Sequence, residues 1–344
     1  MIYFNCDYSE GCHPAILEAM ARTNMEQLPG YGEDVHCAHA AELIKEACRA
    51  PDAAVHFLVG GTQTNMLFIS VALRPHQAVL CADSGHINVH EVGAVEATGH
   101  KVIGLAAIDG KLFAPQVKAA ARDYKDDPTH EHMAQPKLVY ISNPTEYGTL
   151  YSKTELEALR AVCLEEGLYL YVDGARLGYG LVSPQNDLTL ADYARLTDAF
   201  YIGGTKVGAM IGEALVISNK AFNEDFRSLE KQRGAMLAKG RFIGLQFETL
   251  FTDGLYEKIS RGAVEKALKI RDACAAKGWE FLMDSPTNQQ YVIIPVETLC
   301  RLEGKYVFSP SGAVTGQSIC VRICTSWATT DEDTEELIND IANA

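Results

Sequence analysis

The sequence predicts an α/β protein with a mainly parallel sheet covered by helices on both faces, followed by a smaller C-terminal α+β domain. Three observations predict it. From about Ala53, short β-rich runs alternate with helical patterns, the signature of βαβ units. Those runs lack strict apolar-polar alternation, as strands buried on both faces do. Beyond residue 254 the alternation gives way to one long helical pattern and three shorter strand-like runs.

In order, "AVHFLVG", "AVLCA", "KVIGLA", "KLVYIS", "LYLYVDG" and "AFYIGG" read as strands, because each is a short apolar run rich in β-branched or aromatic residues. "TQTNMLFISVAL", "VHEVGAVEATG" and "TELEALRAVCLEEG" read as the helices between them. Two further helical patterns, "NKAFNEDFRSLEKQ" and "KGRFIGLQFETLFTDG", complete a large domain over residues 1–254. "YEKISRGAVEKALKIRDACAAKG" opens the small domain, residues 255–344. "ARDYKDDPTHEHMAQP" reads as a polar loop whose His130 and His132 have no further ligand at metal-site spacing, so no metal is expected.

With 344 residues, 47% apolar and 22% charged, the chain has room for a large and a small domain. A net charge of -15 repels phosphate backbones and anionic lipid, so neither nucleic acid nor a membrane is an expected partner. The start, "MIYFNCDYSEGCHP", carries neither a basic nor an apolar leader, and no apolar run approaches spanning length; a cytoplasmic protein is expected. Ten cysteines without CxxC or framework spacing read as reduced thiols, Cys320 and Cys324 on a strand among them.

Four stretches carry chemistry, each where a predicted strand ends. "VGGTQTN" runs through glycines into a helix, and its amides with Gly61 and the Thr62 hydroxyl suit a phosphate; an ordinary glycine turn capped by Thr62 reads the same residues. It is neither GxGxxG nor GxxxxGK[ST], so a dinucleotide or nucleoside triphosphate is not indicated. In "ADSGHINVHE", His86 can lie on an aromatic ligand ring with Glu91 behind it, or simply bond to backbone. In "LYLYVDGARLGYG", Asp173 can pair with a protonated ring nitrogen and Arg176 with a carboxylate; an ion pair between the two is the alternative. In "DAFYIGGTKVGAMIG", Lys206 stands in apolar, glycine-rich surroundings that lower an amine pKa, as a Schiff base needs. A phosphate cradle, a stacking imidazole, a carboxylate for a ring nitrogen and an amine for an aldehyde together describe pyridoxal 5'-phosphate.

Nearly end to end, through "CDYSEGCHPAILEAM", "YGED", "GGTQTN", "GHINVHE", "NPTEYG", "VDGAR", "TKVGAMIG" and "VRICTSWAT", the chain resembles the threonine aldolases of the β-eliminating lyase group, in the aspartate-aminotransferase-like (fold type I) class. The resemblance implies a three-layer large domain binding pyridoxal phosphate. It makes Lys206 the cofactor lysine, Asp173 the partner of the pyridine nitrogen, His86 the stacking imidazole, and Gly61 and Thr62 phosphate ligands. It gives Arg176 and Arg322, with Ser9, the substrate carboxylate, and has Tyr31 and Arg241 reach a neighbouring subunit's cofactor, which implies a dimer or a tetramer of dimers. Lys231, Arg233, Lys239 and Arg241 cluster in an otherwise acidic chain, as phosphate binding across an interface or a solvated helix end requires.

The chain departs from the pattern where "NPTEYG" puts Glu146 in place of a histidine, and where "TSW" stands for Thr-His. The resemblance implies that both positions face the substrate side chain. The expectation is cleavage of L-threonine or L-allo-threonine to glycine and acetaldehyde, with Glu146 a candidate base. β-Elimination, transamination or a phenylserine-type substrate is the alternative on the same cofactor.

Overall fold

The apolar β-rich runs form strands whose alternate residues enter two different cores. The structure is a computed structural model that describes residues 1–312 and 316–344. In chain order its strands are β1 (Ile2–Tyr3), β2 (Ala54–Leu58), β3 (Gln77–Ala82), β4 (Lys101–Leu105), β5 (Gln135–Ser142), β6 (Tyr169–Asp173), β7 (Ala199–Gly203) and β8 (Glu213–Ile217). There follow β9 (Glu280–Phe281), β10 (Gln289–Pro295), β11 (Tyr306–Val307), β12 (Ser309–Pro310) and β13 (Ser318–Cys324).

Seven strands make the central sheet, in the order β2-β8-β7-β6-β5-β3-β4. On one face Leu80, Val139, Leu170, Phe200 and Val216 meet helices; on the other Val79, Leu138, Tyr171, Tyr201 and Leu215 do. This is the period-two division of a doubly covered sheet, and each such side chain contributes about 1.5–3 kcal/mol by leaving water. The helix Lys153–Glu166 begins on a reciprocal Ser152/Glu155 cap and ends at Gly167 with φ 70°. That left-handed glycine releases the chain into β6.

β8 was absent from the expected strands, and it runs antiparallel to both β2 and β7. A short return after β7 allows this, where a parallel partner would need a long crossover. Consequently the last residues of β2, β5, β6 and β7 and the first residue of β8 share one edge of the sheet. Ligands of open α/β sheets bind at that edge.

Three expected boundaries moved. The helix Ala114–Asp126 extends well into the stretch read as loop, burying only Val117 and Ala121; so narrow an apolar stripe is masked by its polar neighbours. The helix expected over "VHEVGAVEATG" is broken by left-handed Val92 and Gly93, leaving His86–Val89 and a 3-10 turn at Glu96–Thr98. "NKAFNEDFRSLEKQ" is a 3-10 turn, Lys220–Phe222, then the helix Phe226–Gln232, separated by left-handed Asp225.

The C-terminal region forms an antiparallel sheet, β12-β13-β10-β9. The long helix Leu255–Ala276 serves two cores: Tyr256, Ala263 and Val264 pack into the large one, Ile270 and Cys274 into the small one. Phe4 also lies in the small core, and β1 pairs with β11. We propose the domain boundary near residue 254, with the first four residues joining the C-terminal body. Among the described residues no helix is long and apolar enough to cross a membrane, and all ten cysteines are free.

Candidate active site

Gly61, Thr62, His86, Glu146, Asp173, Arg176 and Lys206 line one cavity of about 340 Å³ at the ligand-binding edge of the sheet. Asp173 ends β6, the middle strand, and is buried. Its Oδ1 accepts from the Tyr201 hydroxyl at 2.5 Å and the Ala175 amide at 2.9 Å. Oδ2 accepts from Tyr140 at 2.6 Å and Asn65 at 2.9 Å. Burial by itself raises the Asp173 pKa, but the His86 charge and the bonds from Tyr140, Tyr201 and Asn65 outweigh it, and the net shift is downward.

The Asp173–Arg176 ion pair that the sequence left open does not form. Arg176 instead gives Nε and Nη2 to Asp7, from the "CDYS" segment. Its Nη1 makes no hydrogen bond among the described residues. Lys206 sits in the turn after β7, half-buried and without a salt bridge among the described residues. Burial and the Arg176 charge lower its amine pKa more than Asp7, Asp173 and Glu213 raise it.

The helix Gly61–Ala72 starts at the cavity with Gly60 in the capping position and no side-chain cap. The capping role considered for Thr62 is therefore not taken up: the first amides are left to a ligand, as an anion site requires. His86 Nδ1 lies 2.7 Å from Glu91 Oε1. Burial lowers the His86 pKa, but the Glu91 bond and the Asp173 charge raise it further, for a net upward shift. Asn65 Nδ2 reaches both Glu91 and Asp173. Glu146 Oε1 accepts from the His86 amide and the Ser142 hydroxyl, both at 2.8 Å. Burial raises the Glu146 pKa, against those bonds.

Four predicted residues stand elsewhere. Arg322 on β13 donates Nη2 to the Asn5 carbonyl at 2.8 Å and leaves Nε buried without a partner; its charge and that of Arg176 both reach Tyr291. Ser9 is exposed, bonds to Cys6 and lines a separate opening with Tyr3 and Glu10. Tyr31 is exposed, with Lys231 Nζ 4.6 Å from its ring centre. Arg241 donates to the Thr23 and Asn24 carbonyls and lines a second cavity of about 790 Å³.

The donor set fits pyridoxal phosphate. An uncapped helix start can take the phosphate, a carboxylate held ionised can take the ring N–H, and a depressed amine can take the aldehyde. Sequence reasoning missed Asp7, Asn65, Tyr140, Tyr201 and Glu213. Asn65 had a signal, an amide inside an apolar helix; the tyrosines read as ordinary strand residues, and Asp7 had none.

The family model described as Beta-eliminating lyase matches residues 5–297. A low specificity L-threonine aldolase from a Pseudomonas species is 29% identical, over 98% of this chain and 96% of its own. The structure of a threonine aldolase from Leishmania major superposes with TM-score 0.97 at 46% identity, covering 100% of this chain and 99% of that one. Aspartate aminotransferase from Thermus thermophilus, with TM-score 0.69 and 18% identity over 100% of this chain and 91% of its own, shares the fold. The chain belongs to the beta-eliminating lyase family, among its threonine aldolases.

Proposed function

We propose that this protein is a pyridoxal-phosphate-dependent aldolase that cleaves L-threonine, L-allo-threonine and related L-β-hydroxy-α-amino acids to glycine and an aldehyde. One observation carries the reading: a single cavity brings together the Lys206 amine, the buried Asp173 carboxylate and an uncapped helix start, in a chain that matches a threonine aldolase throughout. When bound, the cofactor supplies an electron sink for the broken Cα–Cβ bond.

The chain's own residues do the rest. Lys206 would hold the cofactor through its aldehyde, its depressed amine being the nucleophile that the cavity offers. Asp173 would pair with the ring N–H, its carboxylate already fixed by two phenols and an amide that cost no reorganisation when charge develops. His86, oriented by Glu91, would pack on the ring. The Arg176 guanidinium, which lines the cavity, suits the substrate carboxylate, with the Arg322 charge near it across Tyr291, and so would hold the scissile bond in one orientation. Glu146, above its ordinary pKa, is the proton acceptor for the β-hydroxyl.

The positions of Tyr31 and Arg241, outside this cavity, support a homo-oligomer in which each acts at a neighbouring site. Ten free thiols suit a reducing, cytoplasmic setting. Purified protein with added pyridoxal phosphate, assayed on a panel of β-hydroxy amino acids, tests the reading. We expect glycine and aldehyde in equal amounts; ammonia or a keto acid as the main product would replace it with elimination or transamination.

A further inference from the structure

Glu213 is buried, 4% exposed, and no step above uses it. Because β8 runs antiparallel, its first residue lies opposite Leu58 of β2 on one side and Gly203 of β7 on the other. Leu58 leads through Val59 and Gly60 into the uncapped helix Gly61–Ala72, and Gly203 leads through Gly204 and Thr205 to Lys206. In register, Glu213 thus stands between the strand that leads to the anion site and the strand that leads to the amine. Its Oε2 accepts the Gly204 N–H at 3.0 Å. The side chain lines the cavity beside Gly61, Thr62 and Thr205, and it makes no salt bridge among the described residues.

An ionised carboxylate there would oppose any anion drawn to the helix start. The opposition vanishes, and becomes an attraction, if the carboxylate carries a proton. We propose that Glu213 is a phosphate-contacting acid: in the neutral form it donates a hydrogen bond to an oxygen of the ligand's phosphate at the start of the helix Gly61–Ala72. This rests on the reading that the cavity takes pyridoxal phosphate.

The surroundings favour the neutral form. Burial raises Glu213 to about 7, against the opposing influence of Thr205, Lys206 and the Gly204 amide, with the Asp173 charge pushing it further up. The titratable groups around it are Lys206, Asp173 and the phenols of Tyr171, Tyr201 and Tyr256. Of these only Lys206 favours the ionised form. A bound phosphate, with a charge of about -1.5 to -2, adds to Asp173 in favouring the proton.

The linkage sign follows. Without ligand Glu213 is ionised above about pH 7; with phosphate bound it is neutral, so binding above that pH takes up a proton. Affinity then falls roughly tenfold per pH unit above about pH 7. In Glu213→Gln the amide still donates and does not titrate, so this fall is absent.

The test is to titrate cofactor-free protein, wild type and Glu213→Gln, with pyridoxal phosphate and with pyridoxal from about pH 6 to 9. Lys206 is common to both proteins, so its own pH dependence cancels in their ratio. We expect that ratio to favour Glu213→Gln increasingly with pH for pyridoxal phosphate, and to stay constant for pyridoxal. A constant ratio for both ligands overturns the proposal, as does a changing ratio for both, which would assign Glu213 to Lys206 instead. A second measurement needs no variant: calorimetry of wild type at about pH 8 in buffers of different ionisation enthalpy should show about one more proton taken up with pyridoxal phosphate than with pyridoxal. Equal uptake overturns the proposal. Wild type that binds no pyridoxal phosphate at any pH overturns the functional reading beneath it.

Discussion

Arg176 gives Nε and Nη2 to the two oxygens of Asp7, at 2.7 and 3.0 Å, across 169 residues of sequence. Asn288 adds a third donor to the same carboxylate at 2.9 Å. The N-terminal segment, the loop after β6 and the strand β10 region are thereby joined beside the cavity. Burial raises the Asp7 pKa, but the Arg176 and Lys206 charges with the bonds from Arg176 and Asn288 hold it below its ordinary value.

Removing one partner leaves the other buried and unpaired. Asp7→Ala should destabilise the fold by about 3–5 kcal/mol, read from urea unfolding. The double variant Asp7→Ala/Arg176→Met should lose less than Asp7→Ala alone, because no charge is stranded. Equal losses would show that the two residues are not coupled. Since the folded Asp7 pKa is depressed, its contribution is fully present above the unfolded value of about 3.9 and fades as pH falls through the folded value.

Lys206 should be the lysine that captures pyridoxal phosphate. Borohydride reduction of the loaded protein, followed by peptide mapping, should find the pyridoxyl group on Lys206, and Lys206→Ala should abolish near-visible absorbance. The lowered pKa leaves more free amine at neutral pH than an ordinary lysine has. Label on another lysine would remove Lys206 from the role.

What the sequence made legible was whatever is local. Strand, turn and helix order is written in runs of a few residues, and so is the delivery of Asp173 and Lys206 to strand ends. The direction of β8 was not legible, because "EALVI" is a buried apolar run whichever way it points. With that direction unknown, Glu213 had no place at the ligand edge. The Asp7–Arg176 pair was hidden for a different reason: a carboxylate near the N-terminus gives no hint of which cation the fold will bring to it. Tyr140 and Tyr201 looked like core residues and are buried, but burial conceals that their hydroxyls converge on Asp173.

Arg322→Lys should weaken amino acid binding far more than cofactor binding. A lysine is a point charge and cannot reproduce the directed contacts of a planar guanidinium. The loss of one charged contact is about 2–4 kcal/mol, read as a rise in the inhibition constant of glycine. An unchanged glycine affinity would take Arg322 out of the site and leave its contacts to Asn5 and Gln289 as its whole role.

Glu146→Gln separates holding the loop from the proton acceptance proposed for the same carboxylate. Oε1 fixes the loop, accepting from the His86 amide and the Ser142 hydroxyl, and a glutamine carbonyl accepts both bonds equally well. Only proton acceptance is lost. If Glu146 takes the β-hydroxyl proton, carbon-carbon cleavage should slow at least roughly tenfold, since a general base contributes about a hundredfold or more. Exchange of the glycine α-proton with solvent requires no hydroxyl deprotonation and should continue. The pH profile carries the sign: burial raises the Glu146 pKa, so wild-type cleavage should fall as acid protonates it, and that limb should disappear in the variant. Cleavage at the wild-type rate would exclude Glu146 as the base. Loss of cleavage and exchange together would mean that the carboxylate's charge is needed by the site as a whole, and would exclude proton acceptance from the β-hydroxyl as its specific role.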